Sequence, residues 1–129
     1  MRKINEIIIH CSATSSEADI GVAEIRQFHV QKRGWKDIGY HYVIRRSGLI
    51  EVGRKHHEIG AHCKNRNRYS IGICLVGGID GMNNFHVKQL NSCHKLIAFL
   101  KLMFPDIEVS PHNKYANRYC PSFDINSVL

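Results

Sequence analysis

Apolar residues in this chain fall into two unbroken runs and two longer stretches with helical spacing. Ile7-Ile8-Ile9, flanked by Glu6 and His10 and running into Cys11-Ser12-Ala13-Thr14, predicts a short buried strand over Glu6 to His10. Ile71 to Val76, ended by Gly77-Gly78, predicts a second buried strand. Between them, Tyr40 to Arg46, a Ser47-Gly48 turn and Leu49 to Gly53 read as a β-hairpin. Period-two alternation there places Tyr40 and Tyr42 on one face and His41 on the other. Val22, Ile25, Phe28 or His29, and Lys32 recur at helical spacing over Val22 to Arg33, with Gly34 as a natural stop. A longer helix fits Val87 to Phe104, where Leu90, Cys93, Ile97, Leu100 and Phe104 form a stripe that Leu96, Phe99 and Met103 widen, predicting deep burial. Ile107 to Val109 suits a last strand, after which Pro111 turns the chain into a loop carrying His112 and Cys120. This order predicts an α/β fold, one domain over residues 1–129, with a mixed central β-sheet flanked by helices.

Composition narrows the picture. With 129 residues, 43% of them hydrophobic, the chain can bury a core without metal or disulfide staples, so any metal serves chemistry more than folding. Five cysteines, an odd number without paired local spacing, do not form a secreted disulfide framework. The first residues, Met1-Arg2-Lys3-Ile4-Asn5-Glu6, show no signal-peptide pattern, and no segment approaches a membrane span. Synthesis in the cytoplasm, with release or export needed for any target outside, is the expectation. The formal charge of +7 favours a polyanionic partner. No zinc finger, helix-turn-helix spacing or RNA-recognition aromatic motif accompanies it, so nucleic acid is not expected. No long apolar edge stands out, and a monomer is expected.

The chemistry centres on a split trio. His10 closes the first strand, and His112 and Cys120 sit near the other end. Two imidazoles and one thiolate are ligand types that Zn²⁺ prefers, and three protein ligands leave a fourth tetrahedral position open. That is the pattern of a catalytic site rather than a structural one. Spacing of about a hundred residues matches no compact zinc motif, so the trio gains its meaning from its surroundings.

Those surroundings are Ile7-Ile8-Ile9-His10-Cys11-Ser12-Ala13-Thr14, Gly39-Tyr40-His41-Tyr42, Gly60-Ala61-His62, Ser70-Ile71-Gly72-Ile73-Cys74-Leu75-Val76-Gly77-Gly78, and His112 through Arg118-Tyr119-Cys120-Pro121-Ser122-Phe123-Asp124. In this order, over nearly the whole chain, they resemble the zinc-dependent N-acetylmuramoyl-L-alanine amidases of the phage lysozyme type, whose relatives include the peptidoglycan recognition proteins. The resemblance implies hydrolysis of the amide between N-acetylmuramic acid and L-alanine in bacterial peptidoglycan. It implies His10, His112 and Cys120 as Zn²⁺ ligands and Tyr40 as a catalytic tyrosine. It also places His62 by the substrate groove, with Lys64 following on its border to meet stem-peptide carboxylates. Binding-only members of the family typically replace the cysteine, so Cys120 favours turnover.

Arg118 departs from the pattern, because the phage-type amidases carry a catalytic lysine there. Arginine keeps the charge and can stabilise an oxyanion, but it cannot shuttle a proton. The alternative function is therefore a non-catalytic peptidoglycan-binding module of the same fold. His56, His57, His86 and His94 carry no such signal, and a solvated basic surface is the expectation for them.

Overall fold

The computed structural model describes residues 2–129. Its element order is β1 (Glu6–Cys11), α1 (Val22–Arg33), β2 (Tyr42–Ile44), β3 (Ile50–Val52), β4 (Ser70–Leu75), α2 (Val87–Met103) and β5 (Glu108–Pro111), with short 3-10 turns between them. The five strands form one mixed sheet in the order β3-β2-β4-β1-β5. β1 lies parallel to both β4 and β5, β2 lies parallel to β4, and only the β2–β3 hairpin is antiparallel. A strand buried on both faces reads as a continuous apolar run, and for this reason Ile7-Ile8-Ile9 does not alternate.

Period two divides these strands between two unequal cores. Ile7, Ile9, Ile71, Ile73 and Leu75 turn toward α2, where Cys93, Leu96, Ile97 and Leu100 meet them and Val128 closes the layer. Fully burying such a side chain is worth about 1.5–3 kcal/mol, so this face carries most of the apolar stabilisation. The opposite face is thinner: Val22 and Ile25 of α1 pack with Ile38, Val43, Cys74 and Val76. Because α1 covers only part of that face, a cleft remains over the C-terminal end of β1.

Local chemistry sets the helix ends. The Gly21 N–H donates to Glu24 Oε1 at 2.7 Å and the Val22 N–H to Glu51 Oε1 at 2.9 Å, so two carboxylates satisfy the free amides that open α1. A Cβ on Gly21 would lie 2.1 Å from Glu51 Oε1, so a side chain there would push the Glu51 carboxylate out of the cap. Gly34, at φ 71°, ends the helix in the left-handed conformation. His86 caps α2, its Nδ1 accepting from the Lys88 N–H at 3.1 Å, and His94 bonds the Val128 carbonyl. Both side chains stay exposed, as expected of them; His56 is the exception, half-buried with its Nε2 against the Tyr42 hydroxyl.

Three further expectations need correction. Phe99 and Met103 face solvent, so the buried stripe of α2 is narrower than the sequence suggests. On α1, Lys32 faces solvent, while of the two alternatives Phe28 and His29 it is His29 that turns inward. Tyr40 and Tyr42 lie on opposite faces, Tyr40 against the α1 core and Tyr42 in the α2 core. Strand geometry begins only at Tyr42, and the period-two rule does not extend back to Tyr40.

Candidate metal centre and active site

The sheet itself assembles the trio. In the β1–β5 register Ile9 lies opposite Pro111, so the next residues, His10 and His112, emerge side by side where the two strands end. Their Nδ1 atoms stand 3.1 Å apart. Cys120 returns from the loop beyond, and its Sγ accepts from the Cys11 N–H at 3.2 Å. All three residues are buried, with their ligand atoms within 4.8 Å of one another.

This donor set fits a tetrahedral metal. Two nitrogens held at zinc distance are separated by about 3.3 Å along a tetrahedral edge, close to the His10–His112 spacing. Burial, followed by the charges of His62, His112 and Arg118, holds the His10 imidazole well below its ordinary pKa. Burial and the Arg118 guanidinium lower that of His112 to about 4. Both rings are therefore neutral at pH 7, as ligands must be. The Cys11 thiol beside it, together with burial, pushes the Cys120 thiol up, whereas the Cys11 amide favours its thiolate. A divalent cation reverses that balance, since a coordinating thiol is deprotonated outright.

Around the trio opens a cleft of about 760 Å³. Tyr40, His62, Lys64, Arg118 and Tyr119 line it together with His112 and Cys120. The Tyr40 ring centroid lies 5.1 Å from that of His10. Burial, then the thiols of Cys74, Cys120 and Cys11, raise the Tyr40 ionisation well above 10, so its hydroxyl remains a donor. Arg118 and Lys64 are exposed at the cleft wall. The structure thus gathers every residue singled out from the sequence at one site.

His62 lines the cleft too, but both its ring nitrogens are engaged: Nδ1 lies 2.8 Å from His10 Nε2, and Nε2 lies 3.2 Å from Ser70 Oγ. The neighbouring Arg66 does not border the cleft. Its guanidinium turns to Glu6 Oε1, bonding through Nε at 2.9 Å and a terminal nitrogen at 2.7 Å. Sequence reasoning missed Ser70 and Glu6, and it placed Asn67 only within the stretch Lys64 to Arg68 expected to border the groove. Asn67 Oδ1 accepts from the N–H groups of both His62 and Cys63 and so fixes the loop that presents His62. A short polar residue five positions after His62, in a loop of mixed basic and amide residues, gave the only hint.

Residues 1–123 match the family model described as N-acetylmuramoyl-L-alanine amidase. The chain belongs to that family. With the buried His10–His112–Cys120 cluster in its cleft, it is an amide hydrolase of peptidoglycan. The endolysin of Klebsiella phage KP32 is 41% identical over 128 residues, covering 96% of this chain and 84% of that protein. Peptidoglycan-recognition protein LB of Drosophila melanogaster is 35% identical over 102 residues, covering 76% of this chain and 43% of that protein. Among solved structures, the N-acetylmuramoyl-L-alanine amidase LysC from Clostridium intestinale URNW superposes with a TM-score of 0.87 at 25% identity, covering 98% of this chain and 83% of that one. No helix among the described residues is long and apolar enough to cross a membrane.

Proposed function

We propose that the chain cleaves the amide between the lactyl group of N-acetylmuramic acid and L-alanine, using Zn²⁺ held by His10, His112 and Cys120. The convergence of these three buried ligands at a cleft, in a chain of the amidase family, carries the reading. Zinc bound there would polarise the scissile carbonyl and acidify a water molecule. The chain's own groups supply the rest. Tyr40, kept protonated, donates a hydrogen bond to the carbonyl oxygen as negative charge builds on it. Arg118, at the cleft wall, offers a permanent charge and several N–H donors to the same oxygen. Arginine passes no proton, so the leaving amine takes its proton from the attacking water, whose oxygen becomes part of the new carboxylate. Lys64 faces the cleft where the stem-peptide carboxylates would lie. The protein acts as a monomer on the cell wall, after release or export from the cytoplasm.

The test is mass spectrometry of peptidoglycan fragments incubated with the protein, with added Zn²⁺ and with a chelator. Zinc-dependent release of stem peptides bearing a free L-alanine amino terminus is expected. Intact fragments under both conditions, with fragments still bound to the protein, would make the chain a binding module instead.

A further inference from the structure

The His10–His112–Cys120 cluster is backed by a row of hydrogen bonds that the proposed chemistry does not use. His10 Nε2, on the side of the ring away from the cluster, lies 2.8 Å from His62 Nδ1. His62 Nε2 lies 3.2 Å from Ser70 Oγ, and the Ser70 hydroxyl lies 2.8 Å from the carbonyl of Arg66. A neutral imidazole has one donor and one acceptor nitrogen, and which is which depends on its partners. Here the far end decides. The Arg66 carbonyl can only accept, and although it also takes the Tyr69 N–H at 3.1 Å, its contact with Ser70 Oγ at 2.8 Å is the shorter of the hydroxyl's two, so the single Ser70 proton goes to Arg66. Ser70 Oγ must then accept from His62 Nε2–H. His62 Nδ1 is left bare and accepts from His10 Nε2–H, and the remaining lone pair of His10 lies on Nδ1, the atom facing His112.

We infer that His62 and Ser70 are positioning residues that lock His10 in the tautomer whose Nδ1 lone pair faces the metal position. The inference rests on the metal-centre reading proposed above. It assigns His62 a task other than contact with substrate, exercised through His10.

The ring of His62 is built in rather than resting on the cleft wall. A Cβ on Gly72 would come within 2.6 Å of His62 Cγ, and one on Gly60 within 2.8 Å of its Cδ2. Both are closer than real Cβ contacts permit, so glycine at 60 and 72 leaves a slot that the ring fills. The Asn67 carboxamide holds the backbone on either side of His62 at 2.8 and 2.9 Å. The anchor is also fixed, because the Arg66 guanidinium is tied to the buried carboxylate of Glu6. Ligand histidines are commonly oriented through their second nitrogen by a carboxylate, carbonyl or water. In this chain a second histidine and a serine transmit that orientation from a backbone carbonyl.

The test has two arms. The first reads imidazole tautomers in the metal-free protein by long-range ¹H–¹⁵N correlation. Protons on Nε2 of both His10 and His62 are expected, with the His62 preference lost in Ser70→Ala; a proton on Nδ1 of His62 in the wild type overturns the inference. The second measures Zn²⁺ affinity by competition with a chromophoric chelator, without substrate. His62→Leu is expected to weaken binding about 10- to 100-fold. His62→Asn, which keeps an acceptor near the Nδ1 position, is expected to restore most of the loss. A folded His62→Leu with wild-type affinity and a raised KM would return His62 to substrate contact. If the wild type itself holds no zinc, the metal-centre reading fails, while the tautomer measurement still judges the row of hydrogen bonds. That measurement also stands if His62→Leu does not fold.

Discussion

β1 buries polar groups at both ends, and the two ends treat them in opposite ways. At its start, the Glu6 carboxylate, 3% exposed, accepts from Arg66 and from the Tyr115 hydroxyl at 2.6 Å. Donors and acceptors match, and the network is closed. At its finish, His10 and His112 turn their Nδ1 atoms toward each other, 3.1 Å apart, beside the Cys120 thiol, three potential ligand atoms with no opposite charge between them. The first end is built to hold its own charges, and the second to receive one. Buried polar groups alone therefore do not mark a site; ligand-type atoms that converge without a counter-charge do.

The largest effect that would break this contrast comes from Cys120→Ser. Removing the thiolate is expected to abolish zinc retention, measured by elemental analysis of the dialysed protein. It should also lower kcat/KM by roughly 1000-fold or more, since Lewis-acid stabilisation is worth several kcal/mol. The fold, followed by circular dichroism, is expected to persist because the α2 core does not involve this residue. Undiminished hydrolysis would remove Cys120 from the mechanism.

Acid should act next, through a histidine between the two ends. His41 is fully buried, its Nδ1 accepting from the Gly72 N–H at 3.1 Å and its Nε2 lying 2.9 Å from the Glu58 carbonyl. Burial lowers its pKa to about 4 from an ordinary 6.5; the Glu58 carbonyl opposes the drop and the charges of Arg2, His56 and Arg54 add to it. The folded state thus refuses a proton that the unfolded state accepts. Stability is complete above pH 6.5 and lost as pH falls toward 4, by roughly 3 kcal/mol from this residue. Urea titrations at pH 7.5 and 4.5 check it, and a His41→Asn variant should show a shallower loss between the two.

Opening the closed end should cost less. Glu6→Ala strands Arg66, whose side chain is partly exposed and can turn to water, so a loss of roughly 2–3 kcal/mol is expected in urea unfolding, below the range for a fully buried pair. Burial pushes the Glu6 carboxyl up, but hydrogen bonds from Ser110, Tyr115 and Arg66, with the Arg66 charge, outweigh it and hold the pKa below its usual value. Its contribution is present above about pH 4.5 and fades as pH falls through the depressed value.

The smallest effect sharpens the comparison most. Tyr115→Phe removes one hydrogen bond to Glu6, worth about 1 kcal/mol at a partly exposed site. Tyr115 ends the turn that begins at His112, its N–H donating to the His112 carbonyl at 3.0 Å. If the two ends of β1 are independent, zinc affinity in this variant changes less than threefold. A larger change would make them one unit, joined through that turn.

Much of this was legible in the sequence because it depended on local signals. The Ile7-Ile8-Ile9 run, the Gly34 stop and the stripe of α2 each report their own neighbourhood, and the ligand trio was recognisable from flanking motifs. What stayed hidden depended on contacts across the fold. Glu6 reads as the polar edge of a strand until Arg66, sixty residues on, folds back to it. His62 reads as a groove residue because nothing in Gly60-Ala61-His62 shows that its ring fills a slot over Gly72. Tyr40 and Tyr42 were given one face because alternation was extended one turn of chain too far.

The placement of β1 between β4 and β5 has a consequence in time. When β1 leaves the ribosome, both its sheet partners are still to be synthesised, and two of the three prospective metal ligands come later than either β4 or α2. Long-range parallel pairing is slow, because the loop must close before any contact rewards it. Until β5 has docked and brought His112, a nascent chain offers one of the three ligands and no site. Catalytic competence in this molecule therefore waits on Cys120, the last of the three ligands in chain order.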